Sequence, residues 1–199
     1  MNLIDYANEL QSEGLNPLPL KDNKAPMLEA GHKFLYEPID NIESRFSNAQ
    51  KIGIACGLVS EFYCIDFDAH NDEDISEIYN DFIAVPSVAN MISEGMLSCY
   101  STAGGGYHVY FRLKDKINGQ VFSKYSTGST MVELRGNGQY AACYPSTGYT
   151  KVKGDEYIKL NYFEDDINNL FDLIKSYNQH HSITLPHKNT TDKKWAETW

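Results

Sequence analysis

Two aspartates at the end of an apolar segment are the residues in this sequence whose spacing suggests chemistry. Asp66 and Asp68 close the run Phe62-Tyr-Cys-Ile-Asp-Phe-Asp68, whose composition predicts a β-strand. Because residues i and i+2 of a strand point to the same face, the two carboxylates would stand side by side and repel each other. A divalent cation that prefers oxygen ligands, Mg²⁺ or Mn²⁺, would remove that repulsion. A solvated strand end or a helix cap is the alternative interpretation.

A third carboxylate, Glu133, lies inside the apolar segment Met131-Val-Glu-Leu-Arg135. If Glu133 converges on Asp66 and Asp68, the three would form a site for two metal ions about 3.5–4 Å apart, the arrangement that serves phosphoryl and nucleotidyl transfer. The alternative for Glu133 alone is an ion pair with Arg135 or with another base across the sheet.

Three consecutive glycines lead into the predicted strand 107–113. Glycines of this kind, here Gly105 and Gly106, let backbone N–H groups approach a phosphate closely. Alternation along the strand places His108 and Arg112 on one face, so the segment suggests a triphosphate contact. It is not a Walker A loop, because no Gly-Lys-Ser/Thr follows and the glycines precede a strand instead of a helix. A glycine-rich hairpin with a packed histidine is the alternative.

Hydrophobic spacing and turn residues predict the elements that must position these side chains. Helices are predicted over residues 2–13, 39–46, 72–83, 88–92 and 163–177, and strands over 15–20, 51–56, 62–68, 96–101, 107–113, 131–135, 139–143 and 149–152. Two pairs of these strands, 51–56 with 62–68 and 131–135 with 139–143, are predicted to form hairpins. The pattern indicates an α+β domain over 1–178, followed by a polar tail or linker over 179–199.

Composition excludes several classes of protein. The chain has 199 residues, 27 acidic and 17 basic, for a net charge of −10, and this argues against a histone-like binder of nucleic acid. No apolar run approaches the roughly 18–20 residues that span a bilayer, so we expect no membrane partner and a cytoplasmic location. Residues 101–153 carry seven Lys or Arg and two acids, which leaves room for a local contact with a polyanion.

The four cysteines are expected to be reduced and buried. They lie in apolar segments without any Cys-x-x-Cys pair, at positions 56, 64, 99 and 143. This spacing argues against a zinc site or a disulfide framework.

In order and spacing, the motifs resemble the bifunctional primase–polymerase (prim-pol) domain of the archaeo-eukaryotic primase superfamily, found in phage and plasmid replication proteins. The resemblance covers roughly residues 5–152 and is carried by Ile52–Gly57, Ile65–Asp68, Ser101–His108, Val132–Gly136 and Tyr140–Ser146. It implies an archaeo-eukaryotic primase-like α+β core, with an RRM-like, mostly antiparallel sheet flanked by helices.

The same resemblance implies a DNA-dependent nucleotidyltransferase that uses Mg²⁺ or Mn²⁺. Asp66 and Asp68 match the first motif of the family and Glu133 stands at the acidic position of the third, so these three would hold the metals. His108 matches the histidine that contacts the incoming nucleotide. Glu133 departs slightly from the family, whose acid at this position is usually Asp.

Further contacts to the triphosphate are implied for Arg135 and Lys24. Many relatives carry a serine where this chain has Gly106, which removes a hydroxyl contact there. The implied partners are single-stranded DNA template and primer, NTP or dNTP, and a replicative helicase or a further helical domain. The implied setting is a bacterial host cell in which a phage or plasmid replicates.

Two other functions compete with this one. An HUH-type replication initiator or nuclease also uses an RRM-like sheet, but it needs two histidines flanking one apolar residue, and the segment around His108 offers one. A catalytically degenerate prim-pol module that serves as a DNA-binding part of a replication complex is the second. The presence of Asp66, Asp68, His108 and Glu133 argues against such decay.

Overall fold

Five α-helices and nine β-strands make up the part of the chain that the computed structural model describes, which is residues 2–27, 33–69, 75–163 and 167–176. The helices are α1 (Leu3–Ser12), α2 (Ile42–Phe46), α3 (Ser76–Ala84), α4 (Pro86–Ser93) and α5 (Asn168–Ser176). The strands are β1 (Pro17–Leu20), β2 (Lys51–Ala55), β3 (Phe62–Phe67), β4 (Ser98–Ser101), β5 (Tyr107–Arg112), β6 (Gln120–Lys124), β7 (Thr130–Arg135), β8 (Tyr140–Cys143) and β9 (Thr150–Lys153). Single turns of 3₁₀ helix lie at Lys33–Leu35 and Tyr157–Lys159.

The strands form two sheets in which every neighbouring pair is antiparallel. One sheet has three strands in the order β1-β2-β8, and the other has six in the order β6-β7-β3-β5-β4-β9. The prediction of an α+β fold with antiparallel sheets flanked by helices is confirmed. The proline-rich segment at β1 lies at the edge of its sheet, where missing N–H donors are tolerated.

Both predicted hairpins are wrong. β2 pairs with β1 and β8, whereas β3 pairs with β5 and β7, so each predicted pair is divided between the two sheets. Only the isolated bridge between Gly57 and Phe62 remains of the first hairpin. Gly57 turns at φ 96°, and a Cβ there would lie 2.4 Å from Cα of Asn137 in the second connection. The two connections therefore cross between the sheets side by side.

The predicted helices are present, with shifted ends. The side chain of Asn2 caps α1 by accepting from the N–H of Asp5 at 2.8 Å. Pro86 separates α3 from α4 and occupies the first turn of α4, where its missing N–H is harmless. Parts of two predicted helices, residues 72–74, 164–166 and 177, lie outside the described residues, as does the predicted tail 179–199. The division into a domain and a tail stays a prediction.

Alternation along the central strands of the six-stranded sheet separates two cores. In β3 the side chains of Tyr63, Ile65 and Phe67 pack with α3, α4 and α5, whereas Phe62 and Cys64 pack with α1 and the three-stranded sheet. Asp66 shares the second orientation. The chemistry-bearing residues of these strands thus face the smaller sheet, and their neighbours in sequence hold the helical layer.

All four cysteines are buried and free, as predicted. Across the described residues, no helix combines the length and the apolar composition that crossing a membrane requires.

Candidate active site

Three of the predicted site residues lie in one row across adjacent strands. In the register of the six-stranded sheet, Asp66 of β3 is directly opposite His108 of β5 on one side and Glu133 of β7 on the other. Directly opposed residues of an antiparallel pair project to the same face. The pairing of strands therefore places two carboxylates and an imidazole together, although 67 positions separate Asp66 from Glu133 in the sequence.

The guanidinium of Arg135 bridges the two carboxylates of this row. Its Nη2 atom lies 3.1 Å from Oδ2 of Asp66 and 2.7 Å from Oε1 of Glu133. The second carboxylate oxygen of Asp66, Oδ1, lies 3.4 Å from Nε2 of His108. The ion pair between Glu133 and Arg135 that the sequence left open is thus present, within a larger group that also includes Asp66.

His108 is buried and held from two sides. Its Nδ1 atom lies 2.9 Å from the hydroxyl of Tyr110, which is two residues further along the same face of β5. Its ring packs against Tyr149, with 5.7 Å between the centroids. Because both ring nitrogens have neighbours, the plane of the imidazole is fixed. Sequence reasoning missed Tyr110 as the residue that orients His108, although the i+2 spacing carried that signal.

The pKa of the Asp66 carboxyl is low despite burial. Burial raises this pKa, but the His108 imidazole and the Arg135 guanidinium together lower it by more than burial raises it. The resulting pKa of Asp66 is about 2. Asp66 is therefore ionised at neutral pH and remains an acceptor for a cation.

This low pKa predicts a pH dependence of stability. Because the folded-state pKa lies below the ordinary value of about 3.9, ionised Asp66 stabilises the fold above pH 4, and that stabilisation is lost as the pH falls toward 2. We expect Asp66→Asn to lack this component, worth about 2 kcal/mol. Urea unfolding at pH 5 and at pH 2.5 measures it; equal losses in the two proteins would contradict the assignment.

A cleft of about 400 Å³ opens over this row, between the two sheets. Asp66, His108 and Arg135 line the wall formed by the larger sheet, and β8 with the turn before it lines the other. Lys24 closes one end, with its Nζ atom 5.9 Å from the centre of the Tyr149 ring. The lining residues are Lys24, Leu35, Asp66, Asp68, Thr102, Gly104, His108, Arg135, Gly138, Gln139, Tyr140, Ala141, Ala142 and Tyr149.

Asp68 lies in the same cleft, just beyond the end of β3. Its N–H donates to the carbonyl of Met131 at 2.9 Å, and its carbonyl accepts from the hydroxyl of Tyr125 at 2.7 Å. The bond to Met131 continues the pairing with β7 past the end of β3, and the bond from Tyr125, which follows β6, holds the same backbone from its carbonyl, so Asp68 keeps the orientation of Asp66.

The glycine run forms a tight turn whose N–H groups are used internally. Thr102 accepts from Gly105 through its carbonyl and from Gly106 through its hydroxyl, both at 3.1 Å. The structure thus assigns these two N–H groups to the turn, where the sequence suggested a phosphate. A Cβ on Gly106 would lie 2.2 Å from the carbonyl oxygen of Phe67, which explains why this chain has glycine at that position.

Arg112 lies away from the cleft, so the structure does not bring it to the other predicted residues. It pairs with Phe62 at the opposite end of β3, and its guanidinium donates to the carbonyls of Glu13 and Ser60. The ring of Tyr162 covers it at 4.8 Å. Arg112 lies four strand residues from His108, which is too far for both side chains to contact one triphosphate. Its buried positive charge instead neutralises the carbonyl end of α1.

Three of the lysines of segment 101–153 lie on the two edge strands of the six-stranded sheet. Lys151 and Lys153 lie on β9, at one edge of the six-stranded sheet, and Lys124 lies on β6, at the other edge. All three are exposed. Two arginines of the segment are accounted for above, since Arg135 belongs to the cleft and Arg112 to the packing of α1.

The donor set of the cleft suits a hard divalent cation, although the described residues hold no cluster of three His, Cys, Asp or Glu in a ligand arrangement. Asp66, Asp68 and Glu133 supply carboxylate oxygens, which Mg²⁺ and Mn²⁺ prefer. One guanidinium, that of Arg135, faces two of these carboxylates. A metal bound by Asp66 and Glu133 would therefore compete with the guanidinium of Arg135 for the same oxygens.

Comparison with protein-family models gives a match that covers most of the chain. The family model described as "bifunctional DNA primase/polymerase, N-terminal" matches residues 7–168, from within α1 to the first residue of α5. No curated protein matches the chain.

Proposed function

Since the chain belongs to the bifunctional DNA primase/polymerase family, we propose that it synthesises or extends primers on single-stranded DNA, in the replication of a phage, plasmid or other mobile element. The observation that carries this proposal is the row of Asp66, Glu133 and His108 on one face of the sheet, next to a cleft that Asp66, Asp68 and His108 line. A nucleotidyltransferase needs such a concentration of carboxylates beside groups that bind a triphosphate.

Asp66, Asp68 and Glu133 are the residues that would hold Mg²⁺ or Mn²⁺. The chemistry such ions supply is a lowered pKa of the primer 3′-hydroxyl and charge balance on the departing pyrophosphate. The low pKa of Asp66 supports this role, because a carboxylate must be ionised to bind a cation.

The cationic side chains of the cleft would receive the triphosphate. Arg135 and Lys24 line the cleft on two sides, and His108 lies between them with its ring fixed by Tyr110. Arg135 is bonded to Asp66 and Glu133 in the structure, so its transfer to a phosphate would release two carboxylates at once. Positioning and charge neutralisation account for most of what these residues do.

Primer extension tests the proposal directly. We expect the protein, given a primed single-stranded template, dNTP or NTP and Mn²⁺ or Mg²⁺, to lengthen the primer and release one pyrophosphate for each nucleotide added. Omission of the divalent ion, or addition of EDTA, should stop both.

The same assay separates the competing functions. A degenerate module would bind the DNA without incorporating nucleotide, and an HUH-type nuclease would nick a strand without releasing pyrophosphate. Binding without incorporation under both metals, with NTP and with dNTP, would overturn the proposed activity.

A further inference from the structure

A second cleft, of about 350 Å³, lies on the other side of Tyr149 from the candidate active site. Four tyrosines line it: Tyr6 of α1, Tyr100 of β4, Tyr144 after β8, and Tyr149. Its volume is within the range of about 300–1,000 Å³ that small-molecule sites occupy. Because Tyr149 lines both clefts, they adjoin each other.

The rings of this second cleft form a fixed wall with one accessible member. Tyr144 is 44% exposed, whereas Tyr6, Tyr100 and Tyr149 are buried. The Tyr144 ring lies 5.8 Å from Tyr6, edge to face, and 6.3 Å from Tyr100. The backbone carbonyl of Tyr144 accepts a hydrogen bond from the hydroxyl of Tyr157 at 2.7 Å. This bond anchors the backbone beneath the Tyr144 ring. A planar ligand can therefore stack on Tyr144 without first ordering the site.

The charges around the second cleft select the orientation of such a ligand. Glu9 and Glu156 line it, and so does Lys151 of β9. Carboxylates accept hydrogen bonds and repel phosphate, so they favour the N–H groups of a base. Lys151 is exposed on the sheet edge and attracts phosphate. A nucleotide satisfies all three side chains when its base enters the cleft and its phosphate stays at the edge.

The position of the second cleft beside the active-site cleft indicates whether this nucleotide is free or part of a strand. The Tyr149 ring packs against His108 on one side and lines the second cleft on the other. A base held in the second cleft is thus one ring away from the candidate nucleotide site. A DNA strand that runs past the candidate nucleotide site would place a base at this short distance. A second free nucleotide would have no reason to bind so close to the first.

We propose that the second cleft binds an unpaired base of single-stranded DNA, stacked on Tyr144, with the N–H edge of the base toward Glu9 and Glu156 and a backbone phosphate at Lys151. This assignment rests on the proposed function, because it takes DNA as the substrate. The carboxylates favour bases that carry an amino group, namely adenine, cytosine and guanine, over thymine.

Photo-crosslinking tests the contact on the unaltered protein. We expect a single-stranded oligonucleotide that carries 5-iodocytosine, irradiated in complex with the full chain, to attach to the peptide that contains Tyr144. A crosslink confined to other peptides overturns the assignment.

Binding affinity gives a second, independent measurement. We expect Tyr144→Ala to weaken binding of a fluorescent oligonucleotide by about fivefold to 150-fold, and Tyr144→Trp to retain it, because stacking on an aromatic ring contributes about 1–3 kcal/mol per base. Leu58→Ala, which alters a side chain 48% exposed on the connection between β2 and β3, is the matched control and should bind as the unaltered chain does. An unchanged affinity of Tyr144→Ala would overturn the assignment.

The two proposals fail in different ways. If the unaltered chain neither binds single-stranded DNA nor extends a primer, the proposed function falls and the second cleft falls with it. If the unaltered chain extends primers while Tyr144→Ala binds DNA equally well, only the assignment of the second cleft is lost.

Discussion

Asp66→Asn is expected to lower the rate of nucleotide incorporation by at least about a hundredfold while leaving the fold intact. Asparagine keeps the shape of the side chain and one acceptor oxygen, but it removes the charge that lies opposite both His108 and Glu133. A bound metal contributes several kcal/mol of charge stabilisation in a transition state, and each 1.36 kcal/mol is a factor of ten in rate. Single-turnover primer extension at saturating Mn²⁺ measures the loss.

The control for this variant is Asp115→Asn. Asp115 is an exposed carboxylate beyond the end of β5 and outside the candidate cleft, so its replacement should leave the rate unchanged. Circular dichroism and the midpoint of thermal unfolding at pH 7 establish that both variants are folded. If Asp66→Asn extended primers at the rate of the unaltered chain, Asp66 would not hold the catalytic metal.

Arg135→Gln is expected to destabilise the protein in the absence of metal and to make its stability depend strongly on Mn²⁺. Without the guanidinium, the carboxylates of Asp66 and Glu133 face each other across the strand pair with no shared cation. We expect a loss of about 3 kcal/mol in the free energy of unfolding, the lower end for breaking a buried pair, because the Arg135 side chain is 32% exposed.

Added Mn²⁺ should restore much of that loss. An ion at a hundred times its dissociation constant stabilises the folded state by about 2.7 kcal/mol. In the unaltered chain, the same ion must displace the guanidinium, so the gain there should be smaller. Urea unfolding of Arg135→Gln and of the unaltered chain, each with and without Mn²⁺, measures the four free energies of unfolding.

The chain offers a closely matched control in Arg45. Its side chain is 33% exposed and pairs with Asp40 at 2.7 Å on the surface, and this guanidinium lowers the pKa of Asp40. Arg45→Gln should change the free energy of unfolding far less than Arg135→Gln does, because a surface ion pair contributes little, and the change should not depend on Mn²⁺. If Arg135→Gln responded to Mn²⁺ no more than Arg45→Gln does, the carboxylates beside Arg135 would not be metal ligands.

The site could be anticipated from the sequence because strand periodicity is local information. Apolar neighbours on both sides of Asp66 and Glu133 marked them as residues of buried strands, and a row of carboxylates followed once these strands became neighbours. The partners of Arg135 were harder to predict from the sequence. Whether a guanidinium or a metal balances two carboxylates depends on distances that only the register of β3 and β7 defines.

The sheet order could not be obtained in the same way. Glycines at the connections after β2 and β7 are typical of hairpins, and nothing local distinguishes a turn within one sheet from a crossing between two. In this chain both connections cross between the sheets, and they come into close contact at Gly57 and Asn137, which are 80 positions apart in the sequence. Arg112 illustrates the same limit, since alternation gave its face correctly, but only the fold shows that its end of the strand lies against the end of α1 and outside the cleft.

The division of β3, β5 and β7 into two sets of alternating residues has a consequence for how such a protein can evolve. Side chains that hold the helical layer and side chains that face the smaller sheet alternate along the same three strands, and the buried hydrophobic residues of the two faces belong to separate clusters. Substitutions on the helical face are expected to alter folding, whereas substitutions on the face of Asp66 and Arg135 are expected to alter stability and chemistry together. Selection can therefore let the helical layer drift while it holds the opposite face of the same strands under two constraints.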